Sequence, residues 1–150
     1  QIAPGAAETE FSEVRFYGIL KRMRKQISYF ERKRVLKSAN FLDLTPIHNF
    51  DYEKDNEGII TILIPRFTGF FGKRFLQPLL KYPFIKLTLD ELGSATWLLI
   101  DTKNTVREIC NQLADRFGER IHPVTDRVTR YISQLYMKQI IVFKETLKHK

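Results

Sequence analysis

Cysteine is almost absent from this sequence of 150 residues, in which Cys110 is the single one. An intramolecular disulfide and a metal site built from several thiolates are therefore excluded. Cys110 belongs to an apolar stripe with helical spacing, which indicates a core position rather than a reactive thiol. The stripe consists of Val106, Ile109, Cys110, Leu113 and Phe117.

The sequence also lacks a long hydrophobic run. No uninterrupted apolar stretch approaches the roughly 18 residues that would span a bilayer, and the amino terminus has no signal-peptide profile. We therefore predict a cytoplasmic protein. The sequence begins at Gln1 rather than Met, so it leaves open whether Gln1 is the natural start, and residues 1–10 are predicted to be either a flexible tail or a cloning remnant.

Motifs that support catalysis are lacking as well. His48, His122 and His149 are scattered, and no two of them have the spacing of ligands that share a metal. The sequence contains neither a Gly-rich phosphate loop nor a Gly-x-Ser-x-Gly nucleophile elbow. We therefore predict that the protein is not an enzyme and has no catalytic, metal or cofactor site.

Positive charge is plentiful, and most of it lies in one segment. The net charge is +8, and residues 11–37 hold nine Lys or Arg against two Glu. Apolar residues recur there every three or four positions, which predicts a basic amphipathic helix from Val14 to Lys37. Its apolar side could dock on the rest of the protein or on a second copy. A helix of this kind also suits an anionic membrane surface or nucleic acid.

The next segment predicts a β-hairpin followed by an insertion. Residues 47–52 and 58–64 have the composition of strands, and residues 53–58 supply turn chemistry between them. Residues 65–83 then interleave aromatic and basic side chains. This mixture suits stacking on single-stranded nucleic acid or insertion at a membrane interface. A short helix near residues 71–81 that covers the exposed face of the hairpin is the plainer interpretation.

The remainder of the chain predicts a strand, three helices and a closing strand or wing. A Thr105-x-x-Glu108 capping box marks the start of the second helix, and Gly118 marks its end. Pro123 suits the first turn of the third helix. Trp97 is predicted to be a core anchor in the first helix. The elements in order are the strand 84–89, the helices 90–100 and 106–117, a third helix that begins at about Pro123, and the closing segment 140–143.

Residues 89–109, which read LDELGSATWLLIDTKNTVREI, resemble the PqqD-like family, also called RiPP recognition elements. The family pattern is a strand ending in Leu-Asn, a helix with a Trp or Leu, Asp-Gly, two spacers, Thr-Val and Glu-Ile before a third helix. This chain departs from the pattern at Asp90, where the family has Asn, and at Thr102, where it has Gly. The resemblance is dense over residues 86–143 and thin over 40–85.

The resemblance implies an α+β fold. It is a winged helix-turn-helix in which a three-stranded antiparallel sheet is followed by three helices, and this chain adds the basic helix at its amino end. We accordingly divide the chain in two. Residues 1–37 are the tail and basic amphipathic helix, and residues 38–150 are the PqqD-like winged-helix domain with an insertion at 65–83.

The resemblance also implies a function, because in this family the groove between the third strand and the third helix receives a leader peptide. The peptide adds a strand to the sheet edge. The implied role is a non-catalytic module that presents a leader or partner peptide to a modifying enzyme, a radical S-adenosylmethionine maturase by family analogy. A basic groove predicts an acidic peptide with apolar anchors. The residues that would bind it are Phe84, Lys86, Thr88, Arg127, Arg130, Tyr131, Gln134 and Lys138.

Other functions stay open at this stage. Arg127, Arg130, Gln134 and Lys138 lie three or four residues apart and so share one helix face. In a DNA-binding winged helix such a face reads base edges and phosphates, which makes a DNA-binding regulator the main alternative. The same charges also suit an ordinary solvated face. A membrane-surface adaptor or a homodimer built through residues 14–37 are further alternatives.

Overall fold

A computed structural model describes residues 27–37, 40–66, 79 and 81–147. Within these residues the chain forms four α-helices and five β-strands, joined by short 3-10 turns. In chain order they are α1 (Tyr29–Lys37), β1 (Pro46–His48), β2 (Tyr52–Lys54), β3 (Ile60–Pro65), β4 (Phe84–Thr88), α2 (Glu91–Leu99), α3 (Val106–Phe117), α4 (Val124–Met137) and β5 (Ile141–Phe143). The predicted α+β class, with a three-stranded antiparallel sheet followed by three helices, is therefore confirmed.

The three-stranded sheet has the order β2-β3-β4, and both pairings are antiparallel. Strands β2 and β3 form the predicted hairpin. Its turn is organised by Asp55, whose Oδ1 accepts hydrogen bonds from the backbone N–H groups of Glu57 at 2.9 Å and Ile59 at 2.8 Å. Gly58 adopts φ +85°, a left-handed conformation that glycine reaches without the steric cost of a side chain. Local turn chemistry thus sets this hairpin.

The predicted strand 47–52 is not a single strand. Its first part is β1, which pairs with β5 in a separate two-stranded antiparallel sheet, and its last residue begins β2. Ile47 and Ile141 are buried in the small sheet, at 1% and 0% exposure. The closing segment 140–143 is a strand as predicted, but it pairs with β1 near the start of the described chain. Residues 47–52 have the local composition of one strand, but burial of Ile47 and Ile141 stabilises the pairing of β1 with β5 instead.

The three helices after β4 begin and end almost where the sequence predicts. Asp90 caps α2, because its side chain accepts a hydrogen bond from the Gly93 N–H at 2.6 Å. The Thr105 and Glu108 capping box is complete at the start of α3. Pro123 is the residue that precedes α4 rather than part of its first turn. The starts of α2 and α3 are thus fixed by side chains within a few residues of each, whereas the start of α4 has no side-chain cap.

One continuous core lies between the helices and the inner face of the three-stranded sheet. Trp97 is fully buried there, so its predicted role as a core anchor is confirmed. Cys110 is 5% exposed and lies in the same core, as the apolar stripe of α3 predicts. On the inner face of the sheet Ile60, Ile62 and Leu89 join this core.

The predicted basic helix 14–37 is described from residue 27 onward, and there it is not continuous. Residues 27 and 28 are not helical, and α1 begins at Tyr29. Ser28 and Glu31 form reciprocal hydrogen bonds of 3.0 and 3.2 Å between backbone N–H and side-chain oxygen, the arrangement of a capping box. Val35 and Leu36 pack against the core. For the described part of this segment, Val35 and Leu36 therefore dock on the rest of the protein, whereas Phe30, on the predicted apolar side, is 80% exposed.

Several predictions fall on residues outside the described ranges. They concern the tail 1–10, the helix over residues 14–26 and the centre of the insertion, 67–78. The division of the chain between residues 37 and 38 also stays a prediction. None of the helices within the described ranges has the length and apolar character that a bilayer-spanning helix needs.

Candidate functional site

Strand β4 lies at the edge of the three-stranded sheet. One of its two hydrogen-bonding edges pairs with β3 over five residues, from Pro65 opposite Phe84 to Thr61 opposite Thr88. Within the described residues, no strand pairs with its outer side. All five residues of β4 are exposed. An exposed edge strand offers unpaired backbone N–H and C=O groups to another chain.

The hydrogen bonds of the sheet show which residues of β4 face outward. Leu89 donates its N–H to the Ile60 carbonyl at 2.8 Å, and Arg66 donates to the Pro83 carbonyl at 3.1 Å. In an antiparallel ladder alternate residues direct both backbone groups to the same side. The odd-numbered residues therefore bond to β3. Phe84, Lys86 and Thr88 turn their backbone groups to the open edge.

The side chains of these three residues lie on the outer face of the sheet, away from the core. Directly opposed residues share a face, and their partners Pro65, Leu63 and Thr61 lie on the face opposite that of the buried Ile60 and Ile62. Lys86 forms an ion pair of 3.2 Å with Glu53, and the Thr88 and Thr61 hydroxyls are 3.1 Å apart. The structure thus places the backbones of the predicted strand residues at the edge, but turns their side chains from the helices.

Ile85 and Leu87 are the side chains of β4 on the same face as the core, and the sequence interpretation did not include them in the site. They lie opposite Ile64 and Ile62, yet they are 52% and 37% exposed. Apolar side chains on the inner face of an edge strand can contact a strand added beside it. The alternation of apolar residues at positions 85, 87 and 89 is the signal in the sequence that could identify them.

The predicted face of α4 is exposed, with one exception. Arg127, Arg130, Gln134 and Lys138 are exposed, whereas Tyr131 is half-buried and its hydroxyl has no hydrogen-bond partner within the described structure. Burial, and then the charge of Asp90, raise the pKa of Tyr131 to about 12. The phenol therefore stays neutral at physiological pH.

The hydroxyl of Tyr131 lies close to Gly93, in the first turn of α2. A Cβ added at Gly93 would come within 3.0 Å of the Tyr131 hydroxyl and 2.9 Å of Asp90 Oδ1. Gly93 thus permits a close approach of α4 to the first turn of α2, only a few residues beyond the end of β4. The flank of α4 that carries Tyr131 consequently adjoins the carboxyl end of the edge strand.

Arg127 is already engaged within the protein. Its Nη1 donates a hydrogen bond of 2.9 Å to the backbone carbonyl of Arg120, and Arg120 forms an ion pair of 3.0 Å with Glu91. Arg120 and Glu91 were not among the predicted site residues, since contacts between separate elements leave no local sequence pattern. Arg130 and Lys138 form no ion pair within the described structure, so they are the cations of the face that remain available to a ligand.

His48 is a packed residue rather than a catalytic one. Its ring stacks on Trp97 with centroids 3.9 Å apart, and its Nε2 donates a hydrogen bond of 2.8 Å to the Trp97 carbonyl. Burial lowers the pKa of His48 from 6.5 to about 4, against smaller opposing effects of this hydrogen bond and of Asp101. The native protein therefore holds this imidazole neutral at pH values where it is protonated in the unfolded chain.

The stability of the protein is expected to fall by about 2–3 kcal/mol as the pH is lowered from about 6.5 to about 4 because of His48. In that interval the unfolded chain binds a proton that the native state resists, so acid favours unfolding. The loss levels off below the native pKa. Urea unfolding at pH 7 and pH 4 measures it. His48→Phe should remove this difference, whereas His122→Gln at the exposed His122 should keep it. Equal pH dependence in all three proteins contradicts the assignment.

Metal ligands do not cluster in the described part of the chain, where no group of three or more His, Cys, Asp or Glu side chains could hold a metal ion. Burial raises the pKa of the Cys110 thiol. Because a thiolate rather than a thiol is the nucleophile and metal ligand, Cys110 is unsuited to either role.

Comparison with known protein families agrees with the resemblance noted in the sequence. Residues 86–141 match the family described as Coenzyme PQQ synthesis protein D (PqqD). The match runs from the middle of the edge strand to the first residue of β5, and so contains most of the candidate site. Comparisons with curated proteins and with solved structures give no significant match. Residues 86–141 of this chain are thus similar to the PqqD-like family, in agreement with the motif in the sequence.

Proposed function

We propose that this protein is a non-catalytic module that binds a segment of a precursor or partner protein and presents it to a modifying enzyme. The PqqD family supports this, because it is a family of non-catalytic accessory proteins that recognise peptides in PQQ biosynthesis. The family binds a precursor peptide and works with a radical S-adenosylmethionine enzyme. We extend both relationships to this chain as a proposal, and we expect the cytoplasm to be the compartment.

The observation that carries the proposal is the open edge of β4. Phe84, Lys86 and Thr88 direct backbone groups outward, and an extended peptide could pair with all three as an added strand. Pairing of this kind draws its affinity from main-chain hydrogen bonds and its specificity from side chains at alternate positions. In this proposal α2, α3 and α4 act as the winged helix-turn-helix unit of a domain spanning residues 38–150, in which 65–83 is the insertion.

The two faces of the sheet set different requirements on the peptide. Alternate side chains of an added strand would face either the core side or the outer side of the sheet. On the core side they meet Ile85 and Leu87, which favours apolar residues. On the outer side they meet Lys86, which favours an acidic one. Arg130, Gln134 and Lys138 lie on the flank of α4 that carries Tyr131, and they add positive charge beside the groove.

Lys86 also disfavours the pairing of β4 with a second copy of itself. An antiparallel pair of two β4 strands centred on this residue would bring the two ammonium groups directly opposite each other. Like charges directly opposite in a sheet are destabilising, and lysine on an edge strand is a common protection against self-association. The edge is thus better suited to a foreign acidic or apolar peptide than to homodimer formation.

A peptide-display selection tests this function. The full chain is immobilised and challenged with a library of random linear peptides, and the enriched sequences are measured by fluorescence anisotropy. We expect peptides with apolar residues at every second position, and an affinity that changes little between low and moderate salt. Absence of enrichment contradicts the proposal. Binding of a DNA duplex that weakens steeply with salt and is abolished by Arg130→Glu would assign the α4 face to DNA instead.

A further inference from the structure

The exposed surface of α1 combines one aromatic ring with positive charge. The helix turns Val35 and Leu36 to the core, and Phe30, Lys33, Arg34 and Lys37 lie on the opposite side. We call these four residues the outer face of α1. Phe30 is 80% exposed, and it lies among three exposed cations.

The charges of the outer face are not neutralised within the described structure. None of Lys33, Arg34 and Lys37 pairs with an acidic residue there. Lys33 instead lies 5.5 Å from the centroid of the Tyr29 ring, which is half exposed. Glu31 is the acidic residue of the helix, and its carboxylate accepts a hydrogen bond from the Ser28 N–H.

We infer that the outer face of α1 is a contact site for an anionic lipid surface. A convex surface with an exposed aromatic ring between cations matches the layered chemistry of such a membrane. The ring can enter the boundary between headgroups and acyl chains while the cations remain at the phosphates. A second basic segment continues this chemistry in the sequence, since residues 11–26 hold five Lys or Arg against one Glu.

The lipid surface explains the combination of groups better than an acidic protein does. A protein partner that buries a phenylalanine usually does so in a pocket. Such a pocket lies at the desolvated centre of an interface whose two surfaces are complementary in shape. The outer face of α1 is a single helix face with one ring and flexible, solvated cations. This arrangement favours a fluid partner that is negatively charged and needs no shape complementarity. Attachment here would leave the β4 edge, on a different part of the fold, accessible to a peptide.

Vesicle flotation tests the inference with the full chain. Vesicles of phosphatidylcholine alone are compared with vesicles that also contain phosphatidylserine, at low and high salt. We expect recovery with the anionic vesicles only, and release at high salt. Each cation at the surface contributes ~1 kcal/mol, so Lys33→Gln with Lys37→Gln should weaken binding about 25-fold. Phe30→Ala should weaken it as well without changing the salt dependence.

A matched pair of exposed lysines controls for net charge. Lys54→Gln with Lys103→Gln removes the same charge from elsewhere on the surface and should leave vesicle binding nearly unchanged. Thermal unfolding establishes that both double variants remain folded. Equal recovery with neutral and anionic vesicles overturns the inference, as does an equal loss in the two double variants. Binding to single-stranded oligonucleotides without vesicle binding would assign the outer face of α1 to nucleic acid and overturn it too.

Discussion

Lys86→Pro is expected to weaken the binding of selected peptides by about 100-fold while leaving the protein folded. The N–H of Lys86 points to the open edge of β4, so proline removes a donor to the added strand and places its ring in the path of that strand. A backbone acceptor left unpaired in the complex costs ~1–3 kcal/mol, and the steric obstruction adds to this cost. Anisotropy titration of the enriched peptides measures the change.

Two matched substitutions separate the backbone from the side chain. Lys86→Gln keeps the N–H and removes only an exposed ion pair with Glu53, which contributes ~0–1 kcal/mol, so peptide binding should change by a few fold at most. Leu87→Pro removes an N–H that faces β3 and should lower the free energy of unfolding instead. If Lys86→Pro binds peptide as the unmodified protein does, strand addition along β4 is wrong.

Trp97→Ala is expected to lower the free energy of unfolding by about 3–5 kcal/mol, the usual cost of truncating a fully buried large aromatic residue. The indole is 0% exposed, stacks on His48 and meets Tyr52 edge to face at 5.9 Å between centroids. Its loss leaves a cavity between α2 and strands β1 and β2. Domains of this size are stable by only about 5–15 kcal/mol, so urea unfolding should show a large shift of the midpoint.

Trp97→Phe serves as the control for this substitution. The indole Nε1 is buried without a hydrogen-bond partner in the described structure, so replacement by phenylalanine removes an unsatisfied polar group along with some apolar surface. We expect a change of less than about 1.5 kcal/mol. A loss as large as that of Trp97→Ala would show that the core requires the full volume of the indole and that a smaller aromatic ring does not fill the site.

Elements whose ends are set by neighbouring residues were predictable from the sequence. The start of α3 follows from Thr105 and Glu108, and the hairpin turn follows from Asp55 and Gly58. The start of α1 is marked in the same way by the capping-box spacing of Ser28 and Glu31, although the longer amphipathic pattern predicts a helix that begins at Val14. The apolar periodicity of the sequence continues through the capping residues, whereas the helix begins at them.

The candidate site was predictable in part. Its strand and its helix face were identified, because alternation and helical spacing show in the sequence which residues share a face. Which face of β4 meets the core depends on its register with β3, and this register is a contact between residues more than twenty positions apart. Alternation places Ile85 and Leu87 on one face with the buried Leu89, but only the structure shows that both remain exposed at the sheet edge.

The sequence by itself determined the class of the fold, the helices after β4, the hairpin, the core role of Trp97 and the PqqD-like segment. All of these depend on local hydrogen bonds, on periodicity or on a short motif. Only the tertiary structure decided that β1 leaves the hairpin for β5, that α1 docks on the core with Phe30 outward, and that no described strand pairs with the outer edge of β4. Each of these results from burial of apolar surface between distant segments, whose free energy depends on the assembled core rather than on any single stretch of chain.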